Sequence, residues 1–441
     1  MHRSLSRLAS VSTLAVIVAA CSEVQPPVDP TASRFSQLSL TLFGSGGFQF
    51  EPLASSAVCT PGGHPNAPFI VPAGYRQRIV ASEPAVPDAI DMNTQNETGP
   101  FAGRYLYREA EGAVGALTVT DLETGVTTHV AFRPDWESMD PIVWTPWGTI
   151  LIGEEAGVAR RKDPQYPQAI GGLMYEVFLN RNDPTTADSV VARPALGAKA
   201  HEGTQIDARG NVYGISENNP GFIFRFVPDR RSDLSSGQLY ALRVTAPTGD
   251  RTGEAEWVPL PRDAVQIDAN AAALAAGATG YNRPEDLELS KGSGSSRDGA
   301  NTLYAAITGL TGPVDNRIIA IDLREPVGGS DHATAFVYDY VRVGLNAPAD
   351  FEMPDNLALS KAGDLYIAED PGGGSPTKRK GDDIWMAAPG RGLHAPASSV
   401  VRFATLTDCD AEPTGIYFDV RGWGLFVNAQ HRGGDGLDKA D

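Results

Sequence analysis

Cysteine is scarce in this sequence, and several common catalytic motifs are absent from it. Its three cysteines stand at positions 21, 59 and 409 of 441 residues. The sequence contains no Cys-x-x-Cys pair, no His-Glu-x-x-His, no Gly-x-Ser-x-Gly turn and no Walker-type glycine loop. These absences argue against a structural zinc site and against a serine hydrolase.

Basic residues are also too few to balance the acidic ones. The chain carries 36 Lys and Arg against 54 Asp and Glu, which gives a formal net charge of −18. Such a surface repels a polyanionic phosphate backbone, so we expect no nucleic-acid partner. Most of the acids serve solubility, but a subset described below follows a regular pattern.

One long apolar run is present, and it lies at the N-terminus. Arg3 and Arg7 precede an apolar stretch that ends in Val-Ala-Ala-Cys at 18–21. This pattern predicts a lipoprotein-type signal over residues 1–20, with Cys21 lipidated. An ordinary signal peptide with an incidental cysteine is the alternative. Residues 21–36 then form a flexible tether, and the protein lies in the cell envelope, joined to a bacterial membrane on its periplasmic or extracellular side only through Cys21.

The other two cysteines form an even pair in an oxidising compartment. Cys59 and Cys409 stand near the two ends of the expected folded region. A disulfide between them would fasten its first and last segments together, whereas two buried free thiols are the alternative.

Long helical periodicities are rare, while glycine and proline are frequent, with 47 Gly and 33 Pro. Tight turns, most of them at glycines, recur at intervals of roughly 45 to 62 residues except for a longer interval between Gly210 and Asn301, and most are followed by further short strand-like runs. The turn positions are Gly103, Gly148, Gly210, Gly363 and Gly424, with a sixth near Asn301. The pattern predicts an all-β, six-bladed β-propeller over residues 37–441, with loop and short-helix insertions. The main insertion falls at about 229–281 and contains a helical patch at 264–276.

Carboxylates occupy regular offsets from these turns. Eight residues before a turn glycine stand Asp140, Glu202 and Asp355. Six or seven residues after one stand Glu109, Glu154, Glu155, Glu217, Glu369 and Asp370. Because antiparallel strands pair residue against residue, these acids should collect at the open ends of the hairpins. If the hairpins surround one axis, the acids form a single bowl suited to calcium.

Two further residues are candidates for catalysis. His201 adjoins Glu202 and is placed to ligate a metal or to contact a phosphoryl oxygen, and Lys199 could reach the same region. Arg283 lies two residues before Glu285, and its guanidinium is suited to bidentate binding of a tetrahedral oxyanion. A surface or core histidine and a structural ion pair are the respective alternatives.

Seven motifs, in order, resemble those of the PhoX-type alkaline phosphatases. They are Thr145-Pro-Trp-Gly-Thr-Ile-Leu-Ile-Gly-Glu-Glu155, Ala200-His-Glu202, Phe224-Arg-Phe-Val-Pro228, Asn282-Arg-Pro-Glu285, Pro354-Asp-Asn356 with Gly363-Asp-Leu-Tyr-Ile-Ala-Glu-Asp370, Glu412-Pro-Thr-Gly415 and Leu425-Phe-Val-Asn-Ala-Gln-His431. The similarity covers roughly residues 90–435. It implies a six-bladed propeller, an exported phosphomonoesterase, and iron and calcium ions that hold the substrate phosphate.

The resemblance also implies site residues. Carried over by position, the metal ligands are Glu154, Glu155, Glu202, Glu285, Asp355, Asp370 and Glu412, with Arg283 near the phosphate. Glu217 stands where the family usually has an aspartate pair and joins the ligand set. Gly153 stands where the family commonly has a cysteine that supplies a thiolate to iron, so calcium is the expected cofactor and iron is in doubt.

The sequence therefore favours a metal-dependent phosphatase that acts as a monomer on a small phosphorylated substrate. A calcium-stabilised propeller without catalysis, which binds a ligand or a protein, is the first alternative. A propeller lactonase or sugar hydrolase that uses one calcium ion is the second.

Overall fold

The structure, a computed structural model, describes residues 50–87, 89–112, 115–245, 249–290, 301–309, 315–324, 333–370 and 380–431. The expected signal, Cys21 and the tether lie outside these ranges. From Pro52 onward the chain forms one unit. Within the described residues, no helix is both long and apolar enough to cross a membrane.

Short antiparallel strands make up almost all of the regular structure. A short first strand, β1 (Phe69–Ile70), precedes the repeated units. Blade 1 contains β2 (Ile90–Gln95), β3 (Tyr105–Ala110), β4 (Ala116–Asp121) and β5 (Thr127–Phe132). Blade 2 contains β6 (Met139–Trp144), β7 (Ile150–Glu154), β8 (Met174–Leu179) and β9 (Ala187–Ala192), and a 3-10 helix (Pro194–Leu196) follows it.

The next two blades are joined through one additional strand. Blade 3 contains β10 (His201–Ile206), β11 (Val212–Ser216), β12 (Ile223–Arg230) and β13 (Asp233–Val244). After it come β14 (Gly253–Pro259) and helix α1 (Arg262–Ala275). Blade 4 contains β15 (Pro284–Leu289), β16 (Asn301–Ile307), β17 (Arg317–Arg324) and β18 (Thr334–Arg342). Strand β14 pairs with both β13 and β18, so the two blades share one sheet.

The last two blades complete the circle. Blade 5 contains β19 (Pro354–Leu359), β20 (Leu365–Glu369), β21 (Asp383–Ala388) and β22 (Ser399–Leu406), and β1 pairs with the outer edge of β22. Blade 6 contains β23 (Glu412–Phe418) and β24 (Leu425–Gln430) among the described residues. The innermost strand of each blade packs against that of the next, and β23 packs against β2. This closed ring is a six-bladed β-propeller, as the turn spacing predicted.

The inner ring is held by polar contacts between neighbouring blades as well as by apolar packing. Leu357 N donates to Asp286 Oδ2 at 2.7 Å between blades 4 and 5. Between blades 6 and 1, Thr414 Oγ1 donates to the carbonyl of Ile90 at 3.0 Å. Burial raises the pKa of Asp286 to about 7, against the opposing effect of its backbone donors. Charged groups at the blade junctions therefore depend on backbone partners.

The predicted insertion is shorter than residues 229–281. Strand β12 extends to Arg230, and β13 pairs with it as the fourth strand of blade 3. The polar residues at 235–238 read as a loop in the sequence, but they lie on an outer strand, where exposed residues are interspersed with buried ones. The true additions are β14 and α1. The helix packs Val265, Ala269 and Ala273 into the core of blade 3, as expected from its alanine-rich sequence.

Cys59 and Cys409 form the predicted disulfide. Their Cα atoms are 5.0 Å apart, and the bond joins positions separated by 350 residues. Thr60 N also donates to the carbonyl of Thr407 at 3.0 Å, so the backbone beside the bond is paired as well. The segment before blade 1 is thus fastened to the chain between blades 5 and 6.

Candidate metal centre

The inner strands carry a β-bulge at the same place in five of the six blades. In β6, Met139 pairs with Glu154, but the next pair joins Ile142 to Ile152, so β6 has one extra residue. Equivalent shifts occur in β2, β10, β15 and β19. A bulge re-aims the side chains beside it. The second residue of each of these strands, at the bulge, is an acid: Asp91, Asp140, Glu202, Glu285 and Asp355.

The residue directly after each second strand faces the same end of the propeller. In blades 1, 2, 3 and 5 this residue is Glu111, Glu155, Glu217 and Asp370. Blade 4 has Thr308 and blade 6 has His431 in this position. Carboxyl groups from different blades meet there: Glu155 lies against Glu217, Asp140 against Glu111, and Glu412 against Asp370.

The acids at this end of the propeller form a ring around its axis, and two tight groups stand out within it. The first nest consists of Asp91, Glu111 and Asp140, and the second nest consists of Glu202, Glu285 and Asp355. In each nest, one oxygen from every residue lies within 4.8 Å of the others. In the first nest, Asp91 Oδ1 and Asp140 Oδ1 are buried and have no hydrogen-bond partner among the described residues.

Arg283 brings a positive charge to the second nest. Its Nε donates to Glu217 Oε1 at 2.6 Å, and its Nη2 lies 3.0 Å from Glu285 Oε1. The side chain keeps 27% of its surface exposed, so Arg283 is paired with acids but is not fully enclosed by them. Its backbone has a positive φ of 44°, which is uncommon for a residue other than glycine.

The ring is too acidic to stay fully ionised without cations. Burial, followed by repulsion from neighbouring acids, raises the pKa values of Asp91, Glu202 and Glu285 well above the ordinary range. Buried charges need a counter-charge, and oxygen-rich nests with unpartnered oxygens fit hard divalent cations. These acidic groups are therefore suited to hold metal ions.

Glu154 does not join the ring, contrary to the position-by-position expectation. Its Oε1 accepts from Glu137 N at 3.3 Å, and its Oε2 accepts from Leu173 N at 3.0 Å. Burial raises its pKa to about 7. Because successive side chains on a strand point to opposite faces, only one member of the Glu154-Glu155 pair can face the axis, and that member is Glu155. Glu369 of blade 5 is anchored in the same way, by Glu352 N and Asp383 N.

His201 also points away from the ring. Its Nε2 bonds to the carbonyl of Gly197 at 2.9 Å and its Nδ1 to Lys199 Nζ at 2.5 Å. Both side chains line a small apolar cavity with Met174, Phe224 and Leu239. We expected His201 to act in catalysis and Lys199 to reach the site, but their placement does not fit these roles. On this strand it is the neighbouring Glu202 whose side chain joins the acids around the axis.

Gly153 is closely packed and leaves no room for a side chain. A Cβ atom placed there would lie 2.4 Å from Met174 Sδ and 2.9 Å from Pro141 Cγ. The two cysteines in the described part of the chain are joined to each other, so those residues offer no thiolate. The residues present do not fit an iron ion bound through a thiolate at this position.

The sequence reasoning missed two members of the first nest. Asp91 and Glu111 stand at the same strand positions as Asp140 and Glu155, but the connection between β2 and β3 is longer than those of blades 2, 3, 5 and 6, and β3 is one residue longer than β7. Counting from Gly103 therefore pointed to Glu109, which is buried next to the ring instead of in it. The repeated pattern of an acid in second place on the inner strand would have located Asp91.

The fold and the site together define a six-bladed propeller with a carboxylate-rich centre. The family profile described as alkaline phosphatase PhoX matches residues 144–311 and 325–433. The chain therefore belongs to the alkaline phosphatase PhoX family, a family of phosphomonoester hydrolases, as its motifs suggested.

One solved structure supports the architecture, and a second, weaker match carries no argument. PhoX of Pseudomonas fluorescens, in complex with the transition state analogue vanadate, superposes with a TM-score of 0.61 at 18% identity, covering 88% of this chain and 94% of that one. A gluconolactonase of Xanthomonas campestris gives a TM-score of 0.41 at 12% identity, covering 78% and 84%. Among curated proteins, no sequence matches this chain significantly.

Proposed function

We propose that this protein is a metal-dependent phosphomonoesterase whose substrate phosphate binds at Arg283, inside the ring of carboxylates. The observation that carries the proposal is the position of Arg283, which contacts Glu217 and Glu285 while its side chain stays partly exposed. The vanadate complex of the Pseudomonas relative supports a small phosphorylated substrate.

The chain's own residues would divide the work as follows. Glu202, Glu285 and Asp355, with Glu155, Glu217, Asp370 and Glu412 around them, would hold calcium ions, for which irregular all-oxygen sites are suitable. Bound cations would neutralise the phosphoryl oxygens and acidify a water molecule. Arg283 would orient the phosphate and stabilise the charge that develops on it during in-line displacement.

We also propose that the enzyme works in the cell envelope as a monomer. The lipoprotein-type leader supports attachment to a bacterial membrane through Cys21, and the acidic surface argues against a nucleic-acid partner. A disulfide between Cys59 and Cys409 fits an oxidising compartment. Release of the protein from membranes after Cys21→Ser would test the anchor.

The decisive experiment is hydrolysis of a chromogenic aryl phosphomonoester by the full-length protein at alkaline pH. We expect turnover with calcium, its loss when a chelator is added, and its return when calcium is restored. Absence of turnover with every divalent cation, in a sample that circular dichroism shows to be folded, would refute the enzymatic function.

Gly153 favours a second candidate, a catalytically inactive binding propeller. The packing of Met174 against Gly153 leaves the centre without the thiolate implied for iron. This candidate predicts that the calcium-loaded protein binds no inorganic phosphate in calorimetry. Phosphate binding that Arg283→Lys weakens would favour the enzyme.

A further inference from the structure

His431 occupies a ring position that carries an acid in four other blades. It follows β24 directly, as Glu111 follows β3 and Glu155 follows β7. Its backbone has a positive φ of 56°. A residue with a side chain rarely adopts this conformation, and such strain is concentrated at functional sites.

One ring nitrogen of His431 contacts a carboxylate, and the other has no hydrogen-bond partner among the described residues. Nε2 lies 3.2 Å from Glu412 Oε1, whereas Nδ1 is buried and has no partner among the described residues. A carboxylate that accepts the proton of one ring nitrogen fixes the tautomer and directs the lone pair of the other outward. Histidines that ligate metals use this arrangement.

The residue before His431 is tied to the first nest. Gln430 is 3% exposed, and its Nε2 donates to Glu111 Oε2 at 2.6 Å. Its Oε1 is a second buried atom that finds no hydrogen-bond partner in the described part of the chain. His431 also interacts electrostatically with Glu111, so the imidazole lies near that carboxylate. Blade 6 thus presents two unpartnered polar atoms beside the nest of Asp91, Glu111 and Asp140.

From this arrangement we propose that His431 Nδ1 ligates a cation at the first nest, with Glu412 as the residue that orients it. This inference rests on the proposed function, in which the ring binds cations. The first nest then offers mixed nitrogen and oxygen ligands, which suit a borderline dication such as cobalt, zinc or ferrous iron. The second nest offers oxygen alone and suits calcium.

Cobalt(II) is the probe, because its visible absorption reports nitrogen ligation without any turnover. The full-length protein, with calcium present, is titrated with cobalt and followed by absorption and calorimetry. The variant is His431→Asn, since asparagine tolerates a positive φ, and His431→Gly serves as a second variant for the same reason. The exposed His129 supplies the matched control, His129→Gln.

We expect both His431 variants to weaken cobalt binding at least tenfold and to change its absorption, while calcium affinity stays within twofold. Glu412→Gln should weaken cobalt binding about tenfold, as loss of an orienting partner does, and His129→Gln should match the wild type. Unchanged cobalt affinity in both His431 variants would overturn the proposal, as would equal losses for cobalt and calcium. Because phosphatase turnover is assayed separately, its absence would refute only the proposed function.

Discussion

Arg283 and Glu217 come from different blades and are joined at 2.6 Å. Because Glu217 follows the second strand of blade 3 and Arg283 precedes the inner strand of blade 4, this ion pair crosses a blade junction at the mouth of the ring. At the corresponding position of blade 4 stands Thr308, whose hydroxyl is bonded to the carbonyl of Pro354. The guanidinium thus supplies positive charge where the series of acids is interrupted.

The first prediction concerns this guanidinium. Arg283→Lys keeps the positive charge but removes the planar pair of donors, so we expect kcat/KM for an aryl phosphomonoester to fall about 10²- to 10³-fold. Arg231→Lys, at an exposed site, should have no effect. Equal activity in the two variants would show that Arg283 does not contact the phosphate.

A second prediction separates two neighbouring acids. Glu154→Gln should cost about 1–3 kcal/mol in the free energy of unfolding, because both oxygens of Glu154 accept backbone hydrogen bonds and an amide has one acceptor. Its calcium affinity should be unchanged. Glu155→Gln should do the opposite, with weaker calcium binding and no loss of stability in chelator. Calorimetry and urea unfolding distinguish the two, and identical behaviour would mean that both acids serve the same site.

The third prediction is the pH dependence of stability without cations. The pKa values of Asp91, Glu202 and Glu285 lie well above the ordinary range, and those of Glu154 and Asp286 are about 7, so the folded state retains protons that the unfolded state releases near pH 4. The stabilisation is complete below the unfolded pKa and is lost as the pH rises through the folded one. In chelator, the unfolding free energy should therefore fall between about pH 5 and pH 8.

Calcium should reverse that loss at pH 8, because it binds the ionised carboxylates of the folded state. Urea unfolding at several pH values, with and without calcium, provides the measurement. An unfolding free energy that rises with pH in chelator would contradict the raised pKa values.

The fourth prediction concerns Gly153. Gly153→Cys should destabilise the protein by about 1–3 kcal/mol, since the new Cβ meets Met174 Sδ and Pro141 Cγ. Met174→Ala should cost less in the Gly153→Cys background than in the wild type, because there it also removes the atom closest to the new Cβ. Gly112→Cys is the control, because a Cβ there has open space. If thermal unfolding shows Gly153→Cys to be as stable as Gly112→Cys, the packing argument fails.

The sequence allowed the blade count to be predicted because the first hairpin of blades 1, 2, 3 and 5 turns at a glycine with a positive φ, as at Gly148 and Gly363. It also placed Glu155, Glu217 and Asp370 in the ring, since each follows a strand by the same offset. The direction of each side chain was harder to predict. A bulge shifts the alternation on the inner strands by one residue, so His201 and Glu202 could be separated only in three dimensions. For Glu154 and Glu155, the sequence did not show which side of β7 faces the axis.

The same limit explains the insertion boundary. Strand β13 lies towards the outside of its blade and is polar on one side, and its sequence therefore resembles a loop. The contacts at the blade junctions could not be predicted either, because contacts such as that of Asp286 with Leu357 join residues far apart in the chain.

The bond between Cys59 and Cys409 also has a consequence for biosynthesis. The partner of Cys59 lies 350 residues further along the chain, after five of the six blades. A ribosome must therefore have completed those blades before the sulfurs can join. A nascent or prematurely terminated chain that lacks Cys409 retains a free thiol at Cys59, so the oxidation state of Cys59 distinguishes such chains from those that have been made through Cys409.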